Sequence, residues 1–147
     1  MDCRNIKTVD LNIFSNVTRI NEKFLGGCVN VTTLDFSCLT KVTYISAQFC
    51  QGTINLTKAD LSHFTKLETI YTNFFYGCTN LTELDLSGCT ALSSISSNFL
   101  HSCKNLSKLS LPTRTNLTEV DSYFLYDCAS LKTVDLSALS NVKTIST

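Results

Sequence analysis

The chain of 147 residues has no tryptophan, one proline, one methionine and five glycines. No glycine- or serine-rich linker interrupts it, so we predict a single domain over residues 1–147. Twelve basic and twelve acidic residues give a formal net charge of zero, and neither sign forms a run. The composition therefore gives no electrostatic case for a nucleic acid partner or for an anionic membrane surface.

Long apolar runs are absent as well. No apolar stretch approaches the roughly 20 residues needed to span a bilayer, so we expect no membrane insertion. The first residues, MDCRNIKTVDLN, lack the charged flank and the apolar run of a signal peptide. Because 44% of the residues are hydrophobic and 16% are charged, the chain can nevertheless bury a core.

Motifs that carry chemistry are also missing from the sequence. It has no glycine-rich phosphate loop, no nucleophile with a plausible histidine partner and no C-x-x-C pair, and His63 and His101 lie far apart in the repeat described next. We therefore predict no enzymatic activity, no catalytic residue, no cofactor and no metal site.

What the sequence does contain is a repeat of 25 residues. A step of 25 reaches an equivalent position in six successive segments without insertion or deletion, at Cys3, Cys28, Thr53, Cys78, Cys103 and Cys128. A fixed period of roughly 20 to 50 residues is typical of solenoids, in which each repeat packs only against its neighbours. We predict six stacked coils that start at these positions.

Each coil contains three apolar segments. It opens with L-x-x-L-x-L, whose last two apolar residues alternate as in a half-buried strand, so we predict a ladder of parallel strands. A second apolar pair, such as Val42 and Ile45, predicts a short extended segment on another wall. A phenylalanine column then marks the return to the next coil, for which we predict one helical turn that ends at a glycine of positive φ. The members are Phe24, Phe49, Phe74, Phe99 and Phe124, with Gly27, Gly52 and Gly77.

The pattern C-x-N-L-x-x-L-x-L, followed by L-x-x-I and F-x-x-x-C, resembles the BspA-like leucine-rich repeats of mucosal bacteria and protozoan parasites. The resemblance covers essentially the whole chain. It implies an α/β leucine-rich-repeat solenoid that binds proteins or mediates adhesion, with a cell-surface or extracellular location and no catalytic residues. The chain departs from the family in two ways: Leu-Pro follows the strand only at Leu111-Pro112, and larger residues such as Lys23 replace the small residue before the phenylalanine.

The cysteines of the coil-start column allow two interpretations. Stacked coils lie about 4.8 Å apart, a distance that permits a disulfide between Cys78 and Cys103 or between Cys103 and Cys128. Alternatively, they are buried thiols that fill a tight corner, which the presence of Thr53 in the same column favours.

Asparagines that begin N-x-[ST] sequons form another column, at Asn30, Asn55, Asn80 and Asn105. Glycans at successive spacings of about 5 Å would be too crowded for full occupancy. We interpret these residues as turn asparagines whose side chains hydrogen-bond local or neighbouring-coil backbone.

Aspartate recurs between the last two apolar residues of the strand, where alternation directs its side chain outward. One hypothesis is a ligand face for a basic or hydrogen-bonding partner, with two lysines partly compensating the repulsion between carboxylates. The alternative, which we favour, is that aspartate hydrogen-bonds the turn leaving the strand. The ligand-face candidates are Asp10, Asp35, Asp60, Asp85, Asp135, Lys58 and Lys108.

The two ends of the repeat carry ordinary repeat sequence and no polar capping coil. One expectation is that the last coil of one molecule stacks on the first coil of another, which predicts filaments or large rings. The other is that the sequence is a piece of a longer repeat protein. The self-assembly candidates are Ile6, Val9, Leu11, Val17, Leu131, Val134, Leu136, Val142 and Ile145.

The sequence therefore predicts a non-enzymatic module that binds a protein partner or adheres to one. Head-to-tail self-assembly into filaments is the alternative. An ice-binding surface is a remote third possibility, suggested by a hydroxyl column at Ser15, Thr40, Thr65, Thr90, Thr115 and Ser140.

Overall fold

The computed structural model describes residues 3–113 and 116–146. Within them the chain winds as a solenoid whose successive coils stack in parallel with a 25-residue offset, so that Arg19 pairs with Tyr44 and Lys58 with Glu83. This offset equals the sequence period because equivalent positions of successive repeats lie side by side in adjacent coils. The predicted solenoid with parallel strand ladders is confirmed.

Strands from all six coils form one sheet, which we call the long sheet. Each strand is only two residues long and comes from the second apolar segment of its coil, with its second residue directed inward. Strands are numbered in chain order over both sheets. The long sheet contains β1 (Arg19–Ile20), β2 (Tyr44–Ile45), β4 (Thr69–Ile70), β6 (Ser94–Ile95), β8 (Glu119–Val120) and β9 (Thr144–Ile145).

The L-x-x-L-x-L segments form a second sheet, which we call the short sheet. It contains β3 (Lys58–Asp60), β5 (Glu83–Asp85) and β7 (Lys108–Ser110), and Thr33 adds an isolated bridge to Lys58. We expected this ladder in every coil, but the described residues form it only in the middle of the stack. A terminal coil is covered on one side only, so neighbouring backbone constrains it less.

The return segments differ from the prediction of a helical turn. They are runs of turns in which every second residue has a left-handed backbone, as at Lys23 (φ 63°), Leu25 (φ 56°) and Gly27 (φ 72°). This geometry directs backbone groups towards the adjacent coil: the N–H of Lys23 donates to the carbonyl of Ala47 (3.1 Å) and that of Cys50 to Phe24 (3.0 Å). The returns therefore stack as a third wall held by hydrogen bonds between coils. The only helices in the described residues are short 3₁₀ turns, Asn12–Phe14 and Ser137–Leu139.

Glycine occupies the last left-handed position of three returns, as predicted, at Gly27, Gly52 and Gly77 (φ 67–72°). In the next two coils Ser102 (φ 61°) and Asp127 (φ 58°) take the same conformation despite their Cβ atoms. A non-glycine residue in this region costs about 1–2 kcal/mol, which the hydrogen bonds between coils must offset.

The phenylalanine column forms the centre of the core. Its rings stack along the solenoid axis with centroids 5.0–6.2 Å apart and interplanar angles of 12–27°, and the three interior rings, Phe49, Phe74 and Phe99, are fully buried. Leucine and isoleucine columns from both sheets pack around this stack. No helix in the described part of the chain is long and apolar enough to cross a membrane.

Candidate functional site

The aspartate column lies where the chain leaves each strand of the short sheet. In five coils the aspartate Oδ1 accepts a hydrogen bond of 2.8–2.9 Å from the backbone N–H two residues later, in the pairs Asp10–Asn12, Asp35–Ser37, Asp60–Ser62, Asp85–Ser87 and Asp135–Ser137. These are Asx turns, so the interpretation of aspartate as a turn residue is confirmed. The bond also fixes the orientation of each carboxylate while leaving the side chain exposed or half-buried.

The same bonds lower the pKa of three of these carboxylates, Asp35, Asp60 and Asp135. The hydroxyl and the backbone N–H of Ser37 lower the pKa of Asp35, and those of Ser62 lower the pKa of Asp60. The charge of the nearby His63 acts in the same direction on both. Hydrogen bonds to the charged form stabilise it, so Asp35, Asp60 and Asp135 stay ionised at neutral pH.

A groove with a volume of about 320 Å³ runs across the middle of the short sheet beside this column. Its charged lining mixes both signs, with three carboxylates and two amines: Asp60, Asp85, Glu83, Lys58 and Lys108. Lys58 Nζ lies 3.1 Å from Glu83 Oε1; the Lys58 side chain is 65% exposed and that of Glu83 is 41% exposed. The groove is therefore net acidic, and its one ion pair is screened by solvent and contributes little to stability.

The structure brings together four of the seven predicted ligand-face residues: Lys58, Asp60, Asp85 and Lys108 line the groove. The other three, Asp10, Asp35 and Asp135, make the same turn bond in coils outside the groove lining.

Sequence reasoning missed the role of Glu83. We expected Lys58 to compensate the aspartates, whereas its amine pairs with the glutamate on the neighbouring strand. Opposite charges 25 residues apart, in one outward column of the repeat, were the available signal.

Comparison with known proteins gives a family. The model described as "BspA type Leucine rich repeat region" matches residues 1–68 and 43–147 in six copies. The chain belongs to this BspA-type family. Neither curated proteins nor solved structures provide a match. Leucine-rich repeats generally serve as protein-interaction scaffolds, so the family indicates a protein-interaction module.

In this BspA-type chain the sequon asparagines form a hydrogen-bonded ladder. Asn80 Nδ2 donates to Asn55 Oδ1 (3.1 Å), Asn105 Nδ2 donates to Asn80 Oδ1 (3.2 Å), and Asn55 Nδ2 donates to the carbonyl of Val29 (2.7 Å). Asn30 donates to the carbonyl of Arg4. Asn30 and Asn55 thus bond the backbone of the neighbouring coil, as predicted, whereas Asn80 and Asn105 bond the side-chain amide of the preceding coil.

The coil-start cysteines also form side-chain hydrogen bonds to the preceding coil. The thiols of Cys78, Cys103 and Cys128 each donate to the carbonyl 28 residues earlier (3.0–3.2 Å). The Thr53 hydroxyl makes the equivalent bond to Leu25 (2.8 Å). Burial raises the pKa of Cys78 to about 12 and that of Cys128 to about 11, so these side chains stay protonated donors. The arrangement supports the interpretation as buried thiols.

The self-assembly candidates lie at the two ends of the stack. Ile6, Leu136 and Ile145 are 37%, 44% and 64% exposed, whereas isoleucines equivalent to Ile145 in interior coils are at most 1% exposed. Leu11 is buried, and the rest are half-buried: Val9, Val17, Leu131, Val134 and Val142.

Among the described residues, no group of three or more His, Cys, Asp or Glu side chains is placed to hold a metal ion. The hydroxyl column lies in the turns between the two sheets, at Ser15, Thr40, Thr65, Thr90 and Ser140, while Thr115 lies outside the described residues.

Proposed function

We propose that this chain binds a basic segment of a partner protein through the groove of the short sheet. The observation that carries the proposal is the row of pre-oriented carboxylates beside a groove of about 320 Å³. The Asx bonds hold Asp60 and Asp85 in place before a ligand arrives, which reduces the conformational entropy that binding must offset.

The charges of the groove define the partner further. Three carboxylates against two amines favour a ligand with excess lysine or arginine. Lys58 and Lys108 flank Glu83 along the sheet, so a ligand must also avoid placing its own cations over them. Adhesion, implied by the family resemblance, is the same binding directed at a protein on another surface.

Peptides selected from a displayed random library provide the probe. We expect those selected on the wild-type chain to be rich in lysine and arginine, and to lose affinity at least about tenfold on an Asp60→Asn, Asp85→Asn double variant. Asp127→Asn is the matched control, because Asp127 lies on the return wall beside Lys104 and asparagine tolerates its left-handed backbone. Equal affinity for the wild type and the double variant would refute the proposal.

Head-to-tail stacking is a second candidate, supported by the exposure of Leu136 and Ile145 at one end and Ile6 at the other. Burying these side chains against a second copy would extend both the core and the long sheet. Electron microscopy and light scattering over a dilution series test it. Filaments with a subunit repeat of about 29 Å, six strand spacings, are expected and should be lost in Ile145→Glu but not in Lys132→Glu. Monomers at every concentration would exclude it.

Ice binding remains a hypothesis without structural support. Its hydroxyl column lies in turns rather than on a sheet face. Thermal hysteresis of the purified chain is the direct measurement.

A further inference from the structure

The wall formed by the returns carries four aromatic rings on the surface of three successive coils. Tyr76 belongs to the third coil, His101 to the fourth, and Tyr123 and Tyr126 to the fifth. Tyr123 and Tyr126 are 51% and 58% exposed, and the other two side chains are half-buried. We call these four residues the aromatic patch.

The rings of the patch contact one another and set its spacing. His101 lies at the centre, with the ring centroids of Tyr76 and Tyr126 each 4.9 Å away and that of Tyr123 5.5 Å away. The distance of 4.9 Å is close to the spacing of about 4.8 Å between adjacent coils, so Tyr76, His101 and Tyr126 follow the solenoid axis. Tyr76 and Tyr126 therefore lie two coil spacings apart, roughly 9.6 Å.

Hydrogen bonds hold the centre of the patch in place. His101 Nδ1 lies 3.1 Å from Asn98 Oδ1, and Asn98 Nδ2 donates to Asn73 Oδ1 of the preceding coil (2.9 Å). The imidazole is therefore fixed among the tyrosines before a ligand arrives, which reduces the conformational entropy lost on binding.

The surroundings of the patch are almost without charge. The three returns comprise residues 72–77, 97–102 and 122–127. Counting histidine as neutral, they contain one charged side chain, Asp127. Its carboxylate lies 3.7 Å from Lys104 Nζ and accepts a hydrogen bond from Ser102 Oγ (3.2 Å). A strongly charged ligand therefore gains little here, in contrast to the groove of the short sheet.

The side chains of the patch suit a ligand that is apolar and that offers hydrogen-bond acceptors. Tyrosine provides an apolar ring face and a hydroxyl donor, and the hydroxyls of Tyr123 and Tyr126 stay open to a ligand because these residues are more than half exposed. A polyproline II helix has both required features, since its proline rings are apolar and its backbone carbonyls make no internal hydrogen bonds. Such helices dock on aromatic surfaces and lose little conformational entropy, because they are already extended.

The repeat of this helix also matches the repeat of the wall. A polyproline II helix rises about 3.1 Å per residue and completes a turn in three residues, or roughly 9.3 Å. Two coil spacings are roughly 9.6 Å. Prolines three residues apart can therefore contact Tyr76 and Tyr126 at the same time, while the segment between them passes over His101.

We propose that the aromatic patch binds a proline-rich segment of a partner protein in the polyproline II conformation, with P-x-x-P spacing and with the segment running along the solenoid axis. The contact involves three coils only, so binding is weak and reversible. It uses the returns, whereas the groove described above uses the strands of the short sheet.

Isothermal titration calorimetry of the full chain with short synthetic peptides tests the proposal. The probe peptide contains P-x-x-P with alanine and leucine at the other positions. One control peptide has the same composition with its prolines four residues apart, and a second has alanine in place of both prolines. We expect saturable binding of the probe, about fivefold to tenfold weaker binding of the first control and no measurable binding of the second.

Variants locate the binding site. Tyr76→Ser and Tyr126→Ser should each weaken binding of the probe about tenfold, because each removes one of the two proline contacts. Tyr44→Ser is the matched control, since Tyr44 is a half-buried tyrosine of the long sheet. Circular dichroism must show that each variant is folded, and Tyr126, which is exposed, provides the test if Tyr76→Ser is unstable.

Equal affinity for prolines three and four residues apart, equal weakening by Tyr44→Ser, or no saturable binding would overturn the proposal. Binding of a glucose oligosaccharide at these tyrosines, with none of the probe peptide, would also overturn it and would assign the patch to carbohydrate. The Asp60→Asn, Asp85→Asn double variant should bind the probe as the wild type does. Failure of the groove proposal and failure of this one are therefore distinguishable.

Discussion

Replacement of Phe74 by alanine tests whether the phenylalanine stack holds the solenoid together. Phe74 is fully buried, with the rings of Phe49 and Phe75 at centroid distances of 5.0 and 5.1 Å and that of Phe99 at 6.2 Å. Truncation of a buried phenylalanine to alanine costs about 3–5 kcal/mol, and aromatic pairs add to the contribution of buried area. With three ring partners, Phe74→Ala should fall near the upper limit, about 5 kcal/mol.

Phe24 supplies the internal comparison, because it occupies the same column at the end of the stack. It is only half-buried, and its two ring partners, Phe14 and Phe49, lie farther away at 6.4 and 6.0 Å. Phe24→Ala should therefore cost about 2 kcal/mol, less than half the interior value.

Urea unfolding followed by circular dichroism measures both costs. A domain of this size is stable by about 5–15 kcal/mol, so Phe74→Ala could leave too little folded protein to measure. The leucine variants then provide the comparison. We expect Phe74→Leu to lower the free energy of unfolding by about 1–2 kcal/mol and Phe24→Leu to lower it by less than about 1 kcal/mol. If the terminal substitution costs as much as the interior one, the rings do not act as a stack and the reasoning fails.

Four further predictions concern single side chains. Ser102→Gly should raise stability by about 0.5 kcal/mol in urea unfolding, because relief of the left-handed backbone exceeds the added chain entropy of glycine; a loss would contradict this. Gly88→Ala should destabilise by about 3 kcal/mol or more, because the new Cβ would lie 1.7 Å from the carbonyl oxygen of Ser62. Cys78→Thr should be about 1 kcal/mol more stable than the isosteric Cys78→Val, since only threonine can donate to the same carbonyl, and equal stabilities would argue against that bond. Because the folded-state pKa of Asp60 is lowered, its ionised carboxylate stabilises the folded protein at neutral pH, and this stabilisation is lost as pH falls below about 4. Urea unfolding of the wild type at a series of pH values should show this loss, and Asp60→Asn should not.

The two sheets divide the surface of this protein into faces with different chemistry. The short sheet presents carboxylates that its own turns hold in place, and the long sheet carries the Arg19 guanidinium over the Tyr44 ring near one end and the carboxylates of Glu119 and Asp121 near the other. Every coil contributes one residue to each column, so a single substitution changes one coil's side chain on one sheet and leaves the other sheet unchanged.

Much of this structure followed from the 25-residue period alone. Stacking identical coils makes the contact offset equal to the period, so the pairing of Arg19 with Tyr44 and the phenylalanine stack were determined once the columns were aligned. Local turn chemistry was readable too. An aspartate two residues before a serine forms an Asx turn with its own backbone, and an asparagine column at coil spacing can bond along itself.

The backbone of the returns was decided only in three dimensions. A phenylalanine, a neighbouring apolar residue and a glycine are compatible with a helical turn and equally with a run of turns. The left-handed residues Lys23 and Leu25 persist because adjacent coils exchange hydrogen bonds there, and such partners lie about 25 residues away in sequence. The limited extent of the short sheet was also decided by contacts between coils. The sequence period determined which residues lie side by side in adjacent coils. Contacts between coils decided the conformation of each backbone segment and the charges that each sheet presents.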